Sequence, residues 1–300
     1  MYPAGTLELW AVDTRASGPA LRALEQSVPL LSDWERCRAA TFADGAQAQE
    51  WLAAHIALRV VLERVLGHAA RGVTFVRAAQ GKPRLEGAPI AFSLSHVPGL
   101  ALIALARDGI VGVDAEWTRA VRAREPRRTR IEEAGAAINP SDPLPAGGDA
   151  RFLQAWVRLE AVAKAEGCGI GRLLKRLGIS GHRADHDDDF RARIERVKAE
   201  QIGSRDVVLG EGLFAAVAAG PMRAVPEVFT LPAGKSALLK LLAQNGRPLP
   251  LTPVAPRGKR SAAERSAAWL AHQSGGLGVG SSNLPAPTNL FRGSATSRIC

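Results

Sequence analysis

Two short acidic segments, about forty residues apart, carry the residue types that could do chemistry. The first is Gly112-Val-Asp114-Ala-Glu116, and the second is Trp156-Val-Arg-Leu-Glu160-Ala-Val-Ala-Lys164. On a strand, side chains alternate, so Asp114 and Glu116 share one face. On a helix, Glu160 and Lys164 lie one turn apart on one face. Brought together, they offer three hard oxygen donors and one ammonium. Such a set suits a Mg²⁺ ion and the phosphates it binds, so the residues point to phosphate chemistry.

A strand over 110–116 and a helix over 150–166 must position these groups. The helix closes at Gly167. A longer helix is expected from Ala46 to Leu66, where Leu52, Ile56, Leu62 and Val65 recur at helical spacing before Gly67. Ser32-Asp33 is a cap signal for a short helix. Strands are expected at 6–14, 73–77, 90–95 and 228–231. Leu100 to Arg107 and Ile110 to Glu116 read as a hairpin across Asp108-Gly109, a dipeptide suited to positive φ angles. A second hairpin is expected over 207–219, around Gly210-Glu211-Gly212. Residues 138–149 read as loop, and 236–243 as a short helix.

The chain has 300 residues, of which 46% are hydrophobic, enough to bury a core. No apolar stretch is long enough to span a bilayer. The first residues lack the basic-then-apolar pattern of a secretory signal. Three cysteines, Cys37, Cys168 and Cys300, argue for a reducing, cytoplasmic compartment and against a disulfide framework. The net charge of +10 invites a nucleic-acid reading. From Leu231 onward, however, nine Lys or Arg face one Asp or Glu, and that end has only Trp269 and Phe291 as aromatic residues below it. The basicity belongs mainly to the tail, and nucleic-acid binding is not expected.

Gly81-Lys82-Pro83, Phe92-Ser-Leu-Ser95-His96, Gly112-Val-Asp114-Ala-Glu116 and Trp156-x-x-x-Glu160-x-x-x-Lys164 stand in the order and rough spacing of the 4′-phosphopantetheinyl transferases. Over residues 6–230 the chain resembles the larger, pseudo-dimeric kind that activates peptide and polyketide synthases. The resemblance implies transfer of the phosphopantetheine arm of coenzyme A to a serine of an apo acyl or peptidyl carrier protein, releasing 3′,5′-ADP. It implies Mg²⁺, with Mn²⁺ as an alternative, held by Asp114, Glu116 and Glu160. Glu160 would also take the serine proton, and Lys164 would meet the coenzyme A phosphates. Ser95 and His96 would contact a phosphate, with His96 best as a donor when protonated, and Lys82 would lie near the nucleotide. Arg38 and Arg59 fall where the family places basic residues facing the 3′-phosphate. Many members carry a lysine where Leu159 stands, and Arg158 points about 100° away around the helix.

The resulting expectation is an α+β fold of two similar subdomains forming a pseudo-dimer. Each is a small antiparallel sheet packed with a long helix. The boundaries are 1–109, 110–232 with the metal site, and a basic, low-order tail over 233–300. A monomer follows from the resemblance, and no membrane partner is expected from the lack of a long apolar stretch. The arginines from Arg122 to Arg130 would steer an acidic carrier protein. Asp185 to Asp189 reads as a solvated loop, Trp156 as packing support and Cys168 as a small buried residue. The competing function is a non-catalytic relative that binds coenzyme A or a carrier protein without turnover.

Overall fold

The structure is a computed structural model and describes residues 6–77, 81–107, 109–179, 187–199, 202–220, 222 and 226–243. Strand β1 (Leu7–Asp13) leads directly into α1 (Thr14–Ser27), followed by α2 (Asp33–Ala40) and the long α3 (Gly45–Leu66). The short strands β2 (Val76–Arg77) and β3 (Pro83–Arg84) precede β4 (Ile90–Val97), β5 (Leu100–Arg107) and β6 (Ile110–Trp117). Then come α4 (Arg127–Ile138), α5 (Gly148–Glu166), α6 (Ile170–Arg176) and α7 (Asp187–Ala199). The chain continues through β7 (Gly203–Asp206), β8 (Leu213–Gly220), β9 (Glu227–Thr230) and α8 (Lys235–Ala243). The architecture is α+β, as the sequence led us to expect.

Local chemistry explains most boundaries. Asp13 ends β1 and caps α1, its carboxylate accepting from the amides of Arg15 and Ala16. Ser32 and Glu35 form a reciprocal capping box on α2. Gly67 (φ 69°) closes α3, and Gly167 (φ 75°) closes α5 in the left-handed region that favours glycine. Helix α1 holds Gly18 and Pro19 inside it, which weakens its signal in the sequence.

The first sheet has the order β4-β5-β1-β9, antiparallel except that β9 runs parallel to β1. The second has the order β6-β8-β7 and is antiparallel throughout. Helix α3 packs on the first sheet in an apolar cluster that includes Trp10, Val12, Ile56, Val60 and Ile103. Helix α5 packs on the second, with Val157, Leu159, Val162 and Ala216 in its cluster. A third cluster joins strands of both sheets, with Leu9, Leu102, Val111, Val113 and Val217 among its members.

The hairpin expected across Asp108-Gly109 does not form. Strand β5 pairs with β4 on one side and β1 on the other, so it has no free edge for β6. Strand β6 pairs instead with β8 in the other sheet. The tight turn in this region is Pro98-Gly99, which joins β4 to β5 with Gly99 at φ 84°. Of the hairpin expected over 207–219, the second strand forms as β8, but residues 207–212 are not strand, and β8 pairs with β7, which lies wholly before the expected first strand. The expected last strand is β9, and it returns to the first sheet beside β1. Of the tail, α8 packs against α1 and α3. Residues beyond 243 lie outside the described residues. Asp187 to Asp189 open α7, while Asp185 and His186 are not described. Among the described residues, no helix is long and apolar enough to cross a membrane.

Candidate active site

Strand β6 and helix α5 approach each other closely at Gly112. A Cβ there would sit 2.0 Å from Ala161 O and 2.4 Å from Ala165 N. Only glycine permits this contact, and it brings the two acidic segments together. Lys164 of α5 extends its Nζ to 2.7 Å from Asp114 Oδ1 on β6. The Ser95 hydroxyl on β4 donates to the same oxygen at 2.9 Å. Ser93, two residues earlier on β4, accepts from the Val113 amide at 3.1 Å. One edge strand of each sheet is thus stitched to the other by serine side chains.

Glu160 lies on the same helix as Lys164. Burial and the charge of Asp114 push its carboxyl up to about 7, with Glu116 adding and Lys164 opposing. Glu116 itself pairs with Arg119 at 3.2 Å. As they stand, no three of the described Asp, Glu, His or Cys side chains converge on one point to hold an ion. The donor chemistry still fits a hard divalent cation. Asp114, Glu116 and Glu160 are all carboxylates, the hard oxygen donors such an ion takes.

Beside this group lies a cavity of about 660 Å³, within the range of small-molecule sites. Arg38, Arg77, Lys82 and Lys164 supply its cations, with His55 and His96 beside them. Trp34, Trp51, Phe75 and Phe92 supply aromatic walls. Among the described lining residues there is no carboxylate. Such a lining suits a polyanion that carries a planar ring. Trp51 and His55, one turn apart on α3, stack with centroids 3.7 Å apart. Arg77 lies over the ring of Trp34, 5.2 Å from its centroid, and Trp34 is 46% exposed.

His96 is pushed down from its ordinary value, first by burial and then by the charges of His55 and Lys164, to about 4. Its ring is nevertheless exposed by area, and contact with water weakens that push. The direction is downward, away from the protonated form.

The expected residues separate into three groups. Arg38, Lys82, His96 and Lys164 line the cavity. Ser95 and Asp114 join it through Lys164, while Glu116 and Glu160 stand outside its lining. Arg59 does not reach it, which corrects the expectation of a phosphate contact. Its guanidinium is fully buried, forked onto Glu35 at 2.6 and 3.1 Å, bound to Ala70 O and stacked over Phe75 at 3.8 Å. Arg59 instead fixes Glu35, which also sits 3.3 Å from His55 Nδ1. Trp34, Trp51, His55 and Arg77 were missed in the sequence. The available signal was Trp51 and His55 at i, i+4 on an otherwise apolar helix.

Leu159 and Arg158 face the interior. Leu159 is fully buried in the α5 core. Arg158 is fully buried too, binding Asp206 at 2.6 and 2.7 Å and the carbonyls of Gly135, Asn139 and Asp142. The lysine position of the resembled family is thus a core position in this chain. Of the basic stretch, Arg122, Arg124 and Arg127 are exposed, while Arg128 pairs with Glu132 and Asp149. Trp156 stacks with Phe152 as packing support. Cys168 is half-buried against Glu166, not fully buried.

No family model matches the chain. A curated protein of Synechocystis sp., named "Putative 4′-phosphopantetheinyl transferase", is 30% identical over 148 residues. The match covers 47% of this chain and 58% of that protein. Over about half its length, this chain is therefore similar to a protein bearing that name.

Proposed function

We propose that the chain transfers the 4′-phosphopantetheine arm of coenzyme A to a serine of an apo acyl or peptidyl carrier protein. One observation carries the reading: Lys164 both lines the cationic, aromatic-walled cavity and binds the carboxylate of Asp114. The anion-binding cavity and the acidic group therefore meet at one side chain. The similarity to the Synechocystis protein supports the same class of reaction. Two sheets, each covered by one long helix, fit the larger, two-halved kind of transferase.

In this reading the cavity cations Arg38, Arg77 and Lys164 hold the phosphates of coenzyme A, and the aromatic walls seat its base. Asp114, Glu116 and Glu160 would hold the Mg²⁺, with Mn²⁺ as the alternative. The ion would offset charge gathering on the leaving diphosphate oxygen. The carrier serine Oγ attacks the phosphorus that bears the pantetheine. The bond from that phosphorus to the oxygen of 3′,5′-ADP breaks as the new bond forms. Glu160 accepts the serine proton. Lys164 keeps Asp114 and the diphosphate in register. Combining the protein, coenzyme A, Mg²⁺ and an apo carrier should release one 3′,5′-ADP per carrier, read by chromatography. Carrier-independent release, or none, would count against the reading.

A second reading is a non-catalytic binder of coenzyme A or carrier. One observation favours it: Asp114 Oδ1 is already engaged by both Lys164 and Ser95. Coenzyme A binding by calorimetry without any 3′,5′-ADP release would select it.

A further inference from the structure

Lys82 belongs to the Gly81-Lys82-Pro83 turn of the first half, yet its polar contacts lie in the second. Its stem packs over Gly167, where a Cβ would come 3.1 Å from Lys82 Cβ. Its Nζ donates to Val111 O on β6 at 2.7 Å and to Ala165 O in the last turn of α5 at 3.0 Å. Ala165 O is one of the final helix carbonyls that have no amide partner within the helix. A lysine there satisfies it and opposes the negative end of the helix dipole. Val111 lies three residues before Asp114, and Ala165 directly follows Lys164. One ammonium thus bridges the two elements that carry the acidic group, next to their closest approach at Gly112.

We propose that Lys82 is a positioning residue, a latch from the first half that holds β6 against the end of α5 and so keeps Asp114 opposite Lys164. This rests on the transferase reading for its kinetic consequence, but not for its structural one. Burial with neutral carbonyl partners lowers the ammonium to about 8, as a lysine facing no carboxylate should be. The latch differs from the nucleotide contact that the resemblance implied. A lysine committed to two protein carbonyls has less to offer a ligand.

The test uses the full chain and Lys82→Met, which keeps the stem on Gly167 and removes the donors. We expect kcat for transfer to fall about tenfold, while KM for coenzyme A changes less than about twofold. Coenzyme A affinity by calorimetry should hold. Amide exchange should quicken about tenfold in the last turn of α5 and around Val111. Lys82→Gln is the milder variant: it keeps a side chain over Gly167 but is too short to reach both carbonyls. It should give the same pattern, which covers the case that Lys82→Met folds poorly. A tenfold weaker coenzyme A affinity with unchanged exchange would overturn the latch in favour of a ligand contact. Unchanged kcat and unchanged exchange would overturn it outright. Exchange and calorimetry need no turnover, so they judge the latch even if the unaltered chain transfers nothing, a result that would count only against the transferase reading.

Discussion

Lys164 on α5 reaches Asp114 on β6, Nζ to Oδ1 2.7 Å, and does so from the wall of the cavity. An ammonium in that position can serve an anion on one side and order a carboxylate on the other. The acidic group and the cavity become one site because of this contact.

If Asp114 and Glu160 do the chemistry, removing either should abolish most of the transfer. Asp114→Ala and Glu160→Ala should each lower kcat/KM by at least about 100-fold. Coenzyme A binding should persist in both, since neither residue lines the cavity. Progress curves by intact mass, with circular dichroism as the folding control, measure this. Near-full activity in both variants would displace the site.

The contact at Gly112 is steric and should not tolerate a methyl group. Gly112→Ala drives a Cβ into Ala161 O and Ala165 N, so β6 must move off α5. A loss of about 1–3 kcal/mol is expected from urea unfolding, together with a fall in activity larger than stability alone explains. An unchanged midpoint would mean that strand and helix can part freely.

Glu35 should govern stability in acid. Burial alone would raise its pKa, but hydrogen bonds from His55 and Arg59, the Arg59 charge and the Ser32 amide hold it at about 2. Its folded value is thus depressed below the ordinary 4.5. The stability it contributes is present above pH 4.5 and is lost as pH falls from there towards 2. Glu35→Gln should flatten the pH dependence of the urea midpoint in that window. It should also cost about 3–5 kcal/mol at pH 7, because Arg59 is left buried without its partner. A variant with the parent's slope below pH 4.5 would contradict the assignment.

Leu159→Lys restores the residue type of many transferases but places it in the α5 core. We expect a lowered melting temperature and no gain in transfer rate, since burying an unpaired ammonium is unfavourable. A faster and equally stable variant would show that the position faces the diphosphate.

The two acidic segments stood out in the sequence by residue type and short spacing, and the structure brings Lys164 of one to Asp114 of the other. Asp114 and Glu116 at period two, and Glu160 and Lys164 at one turn, are local patterns that need no knowledge of tertiary packing to be read. The cavity walls were not legible in the same way. Trp51 and His55 at i, i+4 on α3 look like core residues, and Trp34 and Arg77 come from separate elements whose meeting no local pattern signals. Arg59 shows the opposite failure: a basic residue near a suspected phosphate site was needed to neutralise the buried Glu35. The misread hairpin has a similar origin. Asp108-Gly109 favours a tight turn locally, but β1 takes the edge of β5 that β6 would have used. Helix α1 was hidden by Gly18 and Pro19, and the return of β9 to β1 joins distant parts of the chain.

The most direct measurement is intact mass spectrometry of an apo carrier protein incubated with the full chain, coenzyme A and Mg²⁺, with a parallel reaction in EDTA. The transferase account expects the carrier to gain one phosphopantetheine arm, and the gain to vanish with EDTA. No gain on fatty-acid, polyketide or peptide carriers, with coenzyme A still bound, would contradict it and leave the chain a binder.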